Sequence, residues 1–350
     1  MGRKTLIGLI SAAIAVAAAL SLVLMPGDSG RLRSSPLTAQ ASRQLVDAGA
    51  ASAIVYVADG SRRYEGAAAA DGAKPPRPDQ RFAVGSVTKT FTAVIVLELA
   101  AEGKLRLDYS LERYLPGVVI GGEKITIREL LQHQSGLANY TDYADWTLKA
   151  ALSPSLHPLD ILRFAAKKPR VFKPGTSWAY SNTNYIALGL IIERVSGHSY
   201  ERELRQRILE PLGLRHSGLA TGKDVVDLTG EAANPRISWT AGAIVSDAED
   251  LARFYSALLS GRLLPPSALA EMRETIDTSS SEGFGTRDGL GIFSFPLDCG
   301  TGWGHTGLIL DFNTLALASA NGSRVAIISE RGPALLGPQL GSSLLCEKLG

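Results

Sequence analysis

The chain has 350 residues, 45% hydrophobic and 20% charged, enough for one large or two closely packed domains with a true core. Its 36 basic and 34 acidic residues leave a formal charge of +2, which excludes a nucleic-acid binder held by a basic surface. Aromatics are sparse, and no basic run is interleaved with them.

Arg3 and Lys4 precede an apolar run from Leu6 to Met25. That is the pattern of an export signal, and the run is also long enough for a membrane anchor. Basic residues ahead of it favour an outward-facing remainder, so the expected location is extracellular or in the cell envelope. A small-residue site, Ala39-Gln40-Ala41, lies far downstream for simple cleavage. Residues Asp28 to Ala41 are rich in Ser, Pro and Gly and read as a linker.

Ser42 to Ala48 is compatible with the opening of a helix. Ala53 to Val57 reads as a strand, Asp59-Gly60 as a turn, and Arg62 to Ala68 as the returning strand. Asp71 to Asp79 holds three prolines and is a loop. A helix is predicted from about Ser86 to Ala101, an apolar run without Pro or Gly. It begins with Ser86-x-x-Lys89, which stacks both side chains on one face one turn apart. Ser86 would sit at the positive helix end, and a desolvated, neutral Lys89 could take its proton. The bland reading of these four residues is a capping serine followed by a solvated lysine.

Lys104 to Pro116 is an irregular connection, and Thr126 caps a helix over Ile127–Gln132 that Ser135-Gly136 stops. Tyr140, Tyr143 and Trp146 mark either a cleft wall or a packed loop. Helices follow over Leu159–Lys167, Asn184–Val195 and Tyr200–Leu209, then a polar, loop-like stretch from Thr221 to Pro235. Further helices run from Ser246-Asp247 to Leu259 and from Pro265 to Thr275. A glycine-dense stretch, Gly283 to Gly291, leads into strands at Ile292–Phe295, Thr301–Gly307, Thr314–Ala320 and Arg324–Ser329, with a closing helix at Leu344–Leu349. Strands at both ends and helices between them predict an α/β fold of the α+β type: one antiparallel sheet built from both ends, flanked by helices, with an inserted all-helical domain. The expected boundaries are 42–104 and 236–350 for the α/β domain and 105–235 for the insertion, after a leader of 1–41.

The two cysteines, Cys299 and Cys346, are compatible with one disulfide in an oxidising compartment or with two buried thiols. A bridge would close a loop of roughly 48 residues and contribute about 4 kcal/mol on the chain-entropy model.

Two further clusters bear chemistry. In Tyr180-Ser181-Asn182 a phenol can relay a proton and an amide can hold a substrate carbonyl. In His305-Thr306-Gly307 the thin Gly307 permits close backbone approach, and the strand suits an edge open to an added peptide.

Ser86-x-x-Lys89, Tyr180-x-Asn182 and His305-Thr306-Gly307 stand in the order that resembles the class C β-lactamase and serine D-Ala-D-Ala carboxypeptidase superfamily, over about residues 42–350. The flanking Phe82-Ala-Val-Gly-Ser86, Leu130-Leu-Gln-His-Gln-Ser-Gly-Leu137, Pro174-Gly-x-x-Trp178 and Ser238-Trp239 segments are similar too. The resemblance implies that Ser86 is the acylated nucleophile and that Lys89 and Tyr180 share the acid–base work. It implies that Asn182 orders the substrate amide and that His305 and Thr306 line the substrate strand. The backbone N–H groups of Ser86 and Leu308 would form the oxyanion hole. It also places Trp239 on the cleft wall and matches a Cys299–Cys346 pair. His133, His157, His198 and His216 lack ligand-like spacing and read as structural or exposed, and no metal or cofactor motif is present.

One departure bears on the substrate. The similar carboxypeptidases carry an arginine just after a Gly-Leu-Gly segment, where it grips the terminal carboxylate. Here Gly289-Leu290-Gly291 is followed by Ile292-Phe293-Ser294, and the nearest arginine, Arg287, lies before it. His305, Thr306 and Arg287 are the candidate substitutes. The expected function is a serine acyl-enzyme hydrolase, a D-alanyl-D-alanine carboxypeptidase acting on cell-wall peptides with β-lactams as acylating analogues. The alternatives are an esterase, β-lactamase or D-amino-acid amidase on the same fold, or a penicillin-binding receptor without turnover. A small-molecule or peptide substrate, no nucleic acid and a monomeric state are expected.

Overall fold

The computed structural model describes residues 32–349 apart from 78, 225–233, 279–286, 310 and 333–336. The apolar run Leu6–Met25 lies outside the described residues, as do residues 283–286 of the glycine-dense stretch. Among the described residues no helix is long and apolar enough to cross a membrane.

The first element is a two-residue strand, β1 (Arg33–Ser34), followed by helix α1 (Pro36–Asp47). The linker expected up to Ala41 therefore ends earlier. Ser35 caps the helix by accepting from Thr38 N, and Pro36 occupies its first turn, so the Ser-Pro pair is a start signal rather than a linker mark. Ala41 of the small-residue site is buried in this helix.

The hairpin forms as predicted from β2 (Ser52–Asp59) and β3 (Arg62–Ala69), after which β4 (Phe82–Ala83) leads into a 3₁₀ turn at Gly85–Val87 and helix α2 (Thr88–Ala101). Helix α2 is buried nearly all round, as its uninterrupted apolar sequence requires. Helix α3 (Ile127–Leu131) is closed by a reciprocal cap between Thr126 and Glu129. Helix α4 (Asn182–Ser196) starts two residues earlier than expected and ends at Gly197, whose φ of 74° suits the left-handed C-terminal turn. Two short strands, β5 (Gly218–Leu219) and β6 (Ile244–Ser246), join β4 in a three-stranded sheet ordered β4-β6-β5. The segment 105–235 is thus not wholly helical. A two-residue strand carries no alternation a sequence could display.

Helix α5 (Ala248–Leu259), capped by Asp247, precedes the C-terminal strands. These are β7 (Ile276–Asp277), β8 (Arg287–Asp288), β9 (Phe293–Leu297), β10 (Gly300–Ile309), β11 (Phe312–Ser319) and β12 (Arg324–Arg331). Helix α6 (Gly337–Cys346) follows and starts seven residues before the predicted Leu344. Among the described residues nine strands form one sheet in the order β1-β3-β2-β12-β11-β10-β9-β8-β7. Its central pairs are antiparallel, and the β1–β3 edge pair is parallel. Strands from both ends of the chain therefore meet where β2 pairs with β12.

Alternating residues of these strands feed two apolar layers. Ile54, Val325 and Ile327 face the core that holds α2 and α5, whereas Val55, Ala326 and Ile328 face Leu45 of α1 and Leu344 of α6. Cys299 and Cys346 form a disulfide that ties α6 to the start of β10.

Candidate active site

Three segments converge at the N-terminal end of α2. The first is the 3₁₀ turn that precedes it. Gly85 adopts φ 54°, and a Cβ there would stand 2.9 Å from Leu308 N of β10. Gly307 is tighter still, because a Cβ would meet Val84 O at 2.0 Å and Ser86 N at 3.2 Å. Both glycines let β10 press its backbone against the Gly85–Ser86 turn, bringing the strand that carries Leu308 N alongside the residue that carries Ser86 N. Gly307→Ala is expected to push this strand away. A loss of about 100-fold or more in turnover is anticipated, of the size seen when an oxyanion donor is removed. Steady-state kinetics beside a thermal melt measure it.

Lys89 projects from the first turn of α2 and is wholly buried. Its Nζ lies 2.9 Å from Ser86 Oγ, 2.7 Å from Asn182 Oδ1 and 2.8 Å from the carbonyl oxygen of Ala241. The Tyr180 ring centroid is 4.8 Å away. Burial pushes the lysine well below its ordinary value. Nζ donates to all three oxygens in this arrangement. On losing a proton it keeps two N–H groups for the carbonyl oxygens of Asn182 and Ala241 and turns its lone pair to the Ser86 hydroxyl. Burial pushes the Tyr180 phenol well above its ordinary value, against the downward pull of its hydrogen bond to Ser86. Burial thus pushes the lysine toward the free base and keeps the phenol intact.

Asn182 is the first residue of α4. Its Oδ1 accepts from Lys89 while its Nδ2 donates to Thr141 Oγ1 at 3.2 Å. The amide expected to hold substrate therefore already holds the lysine. Ala241, in the short helical turn Trp239–Gly242, supplies the second carbonyl. No side-chain pattern marks a backbone carbonyl, so sequence reasoning missed it.

His305 is buried on β10 and its ring meets that of Phe293 edge-on at 4.9 Å. Burial, with Lys89 adding to the effect, pushes its imidazole down to about 3. It is therefore a neutral side chain at neutral pH. Thr306 and Leu308 alternate along the same strand, half-buried and exposed. Among the described residues β9 pairs with β10 only as far as Gly304, which leaves residues 305–309 without a strand on that side. The edge expected to be open has that geometry.

Trp239 departs from expectation. Its ring packs over Gly189 of α4, where a Cβ would come within 2.7 Å, and meets Tyr200 edge-on at 5.8 Å. It lines a neighbouring cavity rather than the one that contains Ser86. The turn's backbone, with Trp239 at φ 25°, directs the indole inward, a conformation no sequence pattern announces.

The cavity at Ser86 has a volume of about 260 Å³ and is bounded by Tyr140, Asn182, Ser238, Leu308 and Ile309 among others, none of them charged. Phe293 occupies the region of the missing arginine as a buried core side chain. Arg287 does not replace it: its Nε donates to Thr275 Oγ1 at 2.8 Å and its Nη2 to Thr275 O at 3.0 Å. Among the remaining histidines, His157 caps a helix, His198 pairs with Glu203 at 3.1 Å, and His216 pairs with Asp247. His133 is buried against Tyr180, their ring centroids 4.3 Å apart. Among the described residues no group of three or more acidic, histidine or cysteine side chains could hold a metal ion.

Residues 38–336 match the family model described as Beta-lactamase. The chain is 29% identical over 264 residues to the putative penicillin-binding protein PbpX of Bacillus subtilis (strain 168), which covers 72% of this chain and 62% of that protein. It is 33% identical over 180 residues to the esterase EstB of Burkholderia gladioli, covering 46% of this chain and 44% of the esterase. The chain thus spans less than two thirds of either protein's length. Among solved structures, a D-stereospecific amidohydrolase from Streptomyces sp. matches with a TM-score of 0.79 at 34% identity, covering 89% of this chain and 98% of that one.

Proposed function

The chain belongs to the beta-lactamase family of serine hydrolases, and from that premise we propose that it is an exported acyl-enzyme hydrolase of D-aminoacyl amides and related esters. The observation that carries this reading is the wholly buried Lys89 Nζ at 2.9 Å from Ser86 Oγ, beside a cavity that carries no charge among the described residues that line it.

The reaction follows from the geometry. Lys89 Nζ takes the Ser86 proton as Oγ bonds to the substrate carbonyl carbon. The oxygen of that carbonyl gains the negative charge, which Ser86 N–H and Leu308 N–H are proposed to hold. As the C–N or C–O bond breaks, the proton passes from Lys89 to the departing amine or alcohol, with the Tyr180 phenol as relay. Water then attacks the Ser86 ester. It gives one proton to Lys89, and collapse releases the acid and restores the Ser86 hydroxyl.

The uncharged cavity and the buried Phe293 favour substrates without a carboxylate next to the scissile bond, because a carboxylate desolvated there would lack a cation. The likeness to a D-stereospecific amidohydrolase supports the D configuration. The apolar run Leu6–Met25 and the Cys299–Cys346 bridge support export. A second reading, carboxypeptidase action on D-Ala-D-Ala peptides, is favoured by the open edge at residues 305–309, where an extended peptide could add as a strand.

A substrate panel separates the two. With a D-aminoacyl amide, a short-chain ester, a cephalosporin and a D-Ala-D-Ala peptide, the amide or ester is expected to exceed the peptide at least about 10-fold in kcat/KM, near the 1.5–3 kcal/mol of a hydrogen bond to a charged group. The opposite ranking would replace the amidase reading with the carboxypeptidase one.

A further inference from the structure

Side chains of the loop after α3 contact the Tyr180–Asn182 turn without reaching the cavity at Ser86. We propose that His133 is a positioning residue for acyl transfer, fixing the turn that delivers both the Tyr180 phenol and the Asn182 amide to Lys89. The inference rests on the reading of Ser86 as the acylated group.

His133 grips this turn at three points. Its Nδ1 accepts from Ser181 N at 3.1 Å and lies 3.2 Å from Asn184 Nδ2. Its carbonyl oxygen accepts from Ala179 N at 3.1 Å. Its ring lies on that of Tyr180 with the planes tilted by 35°. Ser181 sits between the two candidate site residues, so the imidazole bonds to the first of the two peptide units that link them. Both partners of Nδ1 are N–H donors, which assigns the ring proton to Nε2 and makes the imidazole neutral. That matters because Lys89 becomes a cation when it takes the Ser86 proton, and a charged imidazole in the same buried space would oppose that step.

Ser135 completes the clamp. Its Oγ donates to Asn184 Oδ1 at 2.6 Å and accepts from Leu137 N at 3.0 Å. Asn184 is thus held from both ends by the loop, which fixes the first turn of α4 on which Asn182 stands. The backbone at His133 has φ 54°, a left-handed value that costs energy for a side chain other than glycine. This conformation accompanies a residue whose carbonyl bonds Ala179 while its ring bonds Ser181. The same contacts would serve any substrate, so they govern the rate of acylation rather than affinity.

The test uses the burst of p-nitrophenolate released when the full chain is acylated by p-nitrophenyl acetate. His133→Ala is expected to slow the burst about 100-fold with KM changed less than about threefold, the size expected when a catalytic group moves by about 1 Å. His133→Asn should recover most of that loss, because asparagine tolerates the left-handed region and its Oδ1 can accept from Ser181 N. Should His133→Ala fail to fold, Asn184→Ala reports on the same clamp and is expected to slow the burst about 10-fold, one hydrogen bond's worth. A burst within threefold of the parent in the folded His133→Ala protein, a rise in KM in place of a slower burst, or no recovery with asparagine would overturn the proposal. A parent protein that gives no burst at all would overturn this inference together with the reading of Ser86.

Discussion

Ser86→Ala should lower turnover by about 10⁴- to 10⁶-fold, the range that follows removal of a serine nucleophile. The reason is covalent: without Oγ no acyl-enzyme can form, and the remaining groups can only orient water. Ser86 is half-buried at the cavity, and its side chain fills no core space, so thermal stability should be unchanged. Two readouts check the result. Hydrolysis of whichever panel substrate is fastest should vanish, and a fluorescent penicillin that labels the parent should no longer label the variant. Label retained on Ser86→Ala would place the nucleophile elsewhere and remove the proposed mechanism.

Lys89→Met should cost about 10³-fold in kcat, within the range for loss of a positioned general base. The pH profile carries the sharper prediction. Protonated Lys89 has no lone pair for the Ser86 proton, so kcat/KM should rise as pH increases through the depressed lysine value and then level off. The Tyr180 phenol is pushed above its ordinary value of 10, so it should add no alkaline fall below that pH. His305, at about 3, and His133, well below 6.5, should add no inflection near the ordinary histidine value. The expected curve is a single acid limb rather than a bell. In Lys89→Met that limb should disappear along with most of the activity. A limb that survives the substitution would show that another group takes the Ser86 proton.

The missing cationic grip illustrates how the two kinds of information combine. The sequence shows that no arginine follows Gly291. It leaves Arg287, His305 and Thr306 as substitutes. The structure removes two of the three, since Arg287 is engaged with Thr275 and His305 is buried and neutral. What remains is a cavity uncharged among the described residues, and this shifts the proposed substrate from a peptide acid to an amide or ester.

Features that depend on neighbours in the chain were legible beforehand. The Ser-x-x-Lys turn, the Asp59-Gly60 hairpin and the Thr126 cap are written in spacings of one to four residues, and local sterics and hydrogen bonding decide them. Strand segments at both ends of the sequence, with helices between, likewise announced a sheet drawing on both ends of the chain. The state of the amine at position 89 could not be read that way. It depends on Asn182 and Ala241, which lie 93 and 152 residues along the chain, and on the complete burial of the Lys89 side chain. The placing of Trp239 and His133 is set in the same way: backbone torsions of 25° and 54° turn one indole away from the cavity and lay one buried imidazole onto Tyr180. Packing fixes such torsions against local preference, and only the assembled fold supplies the contacts that outweigh it.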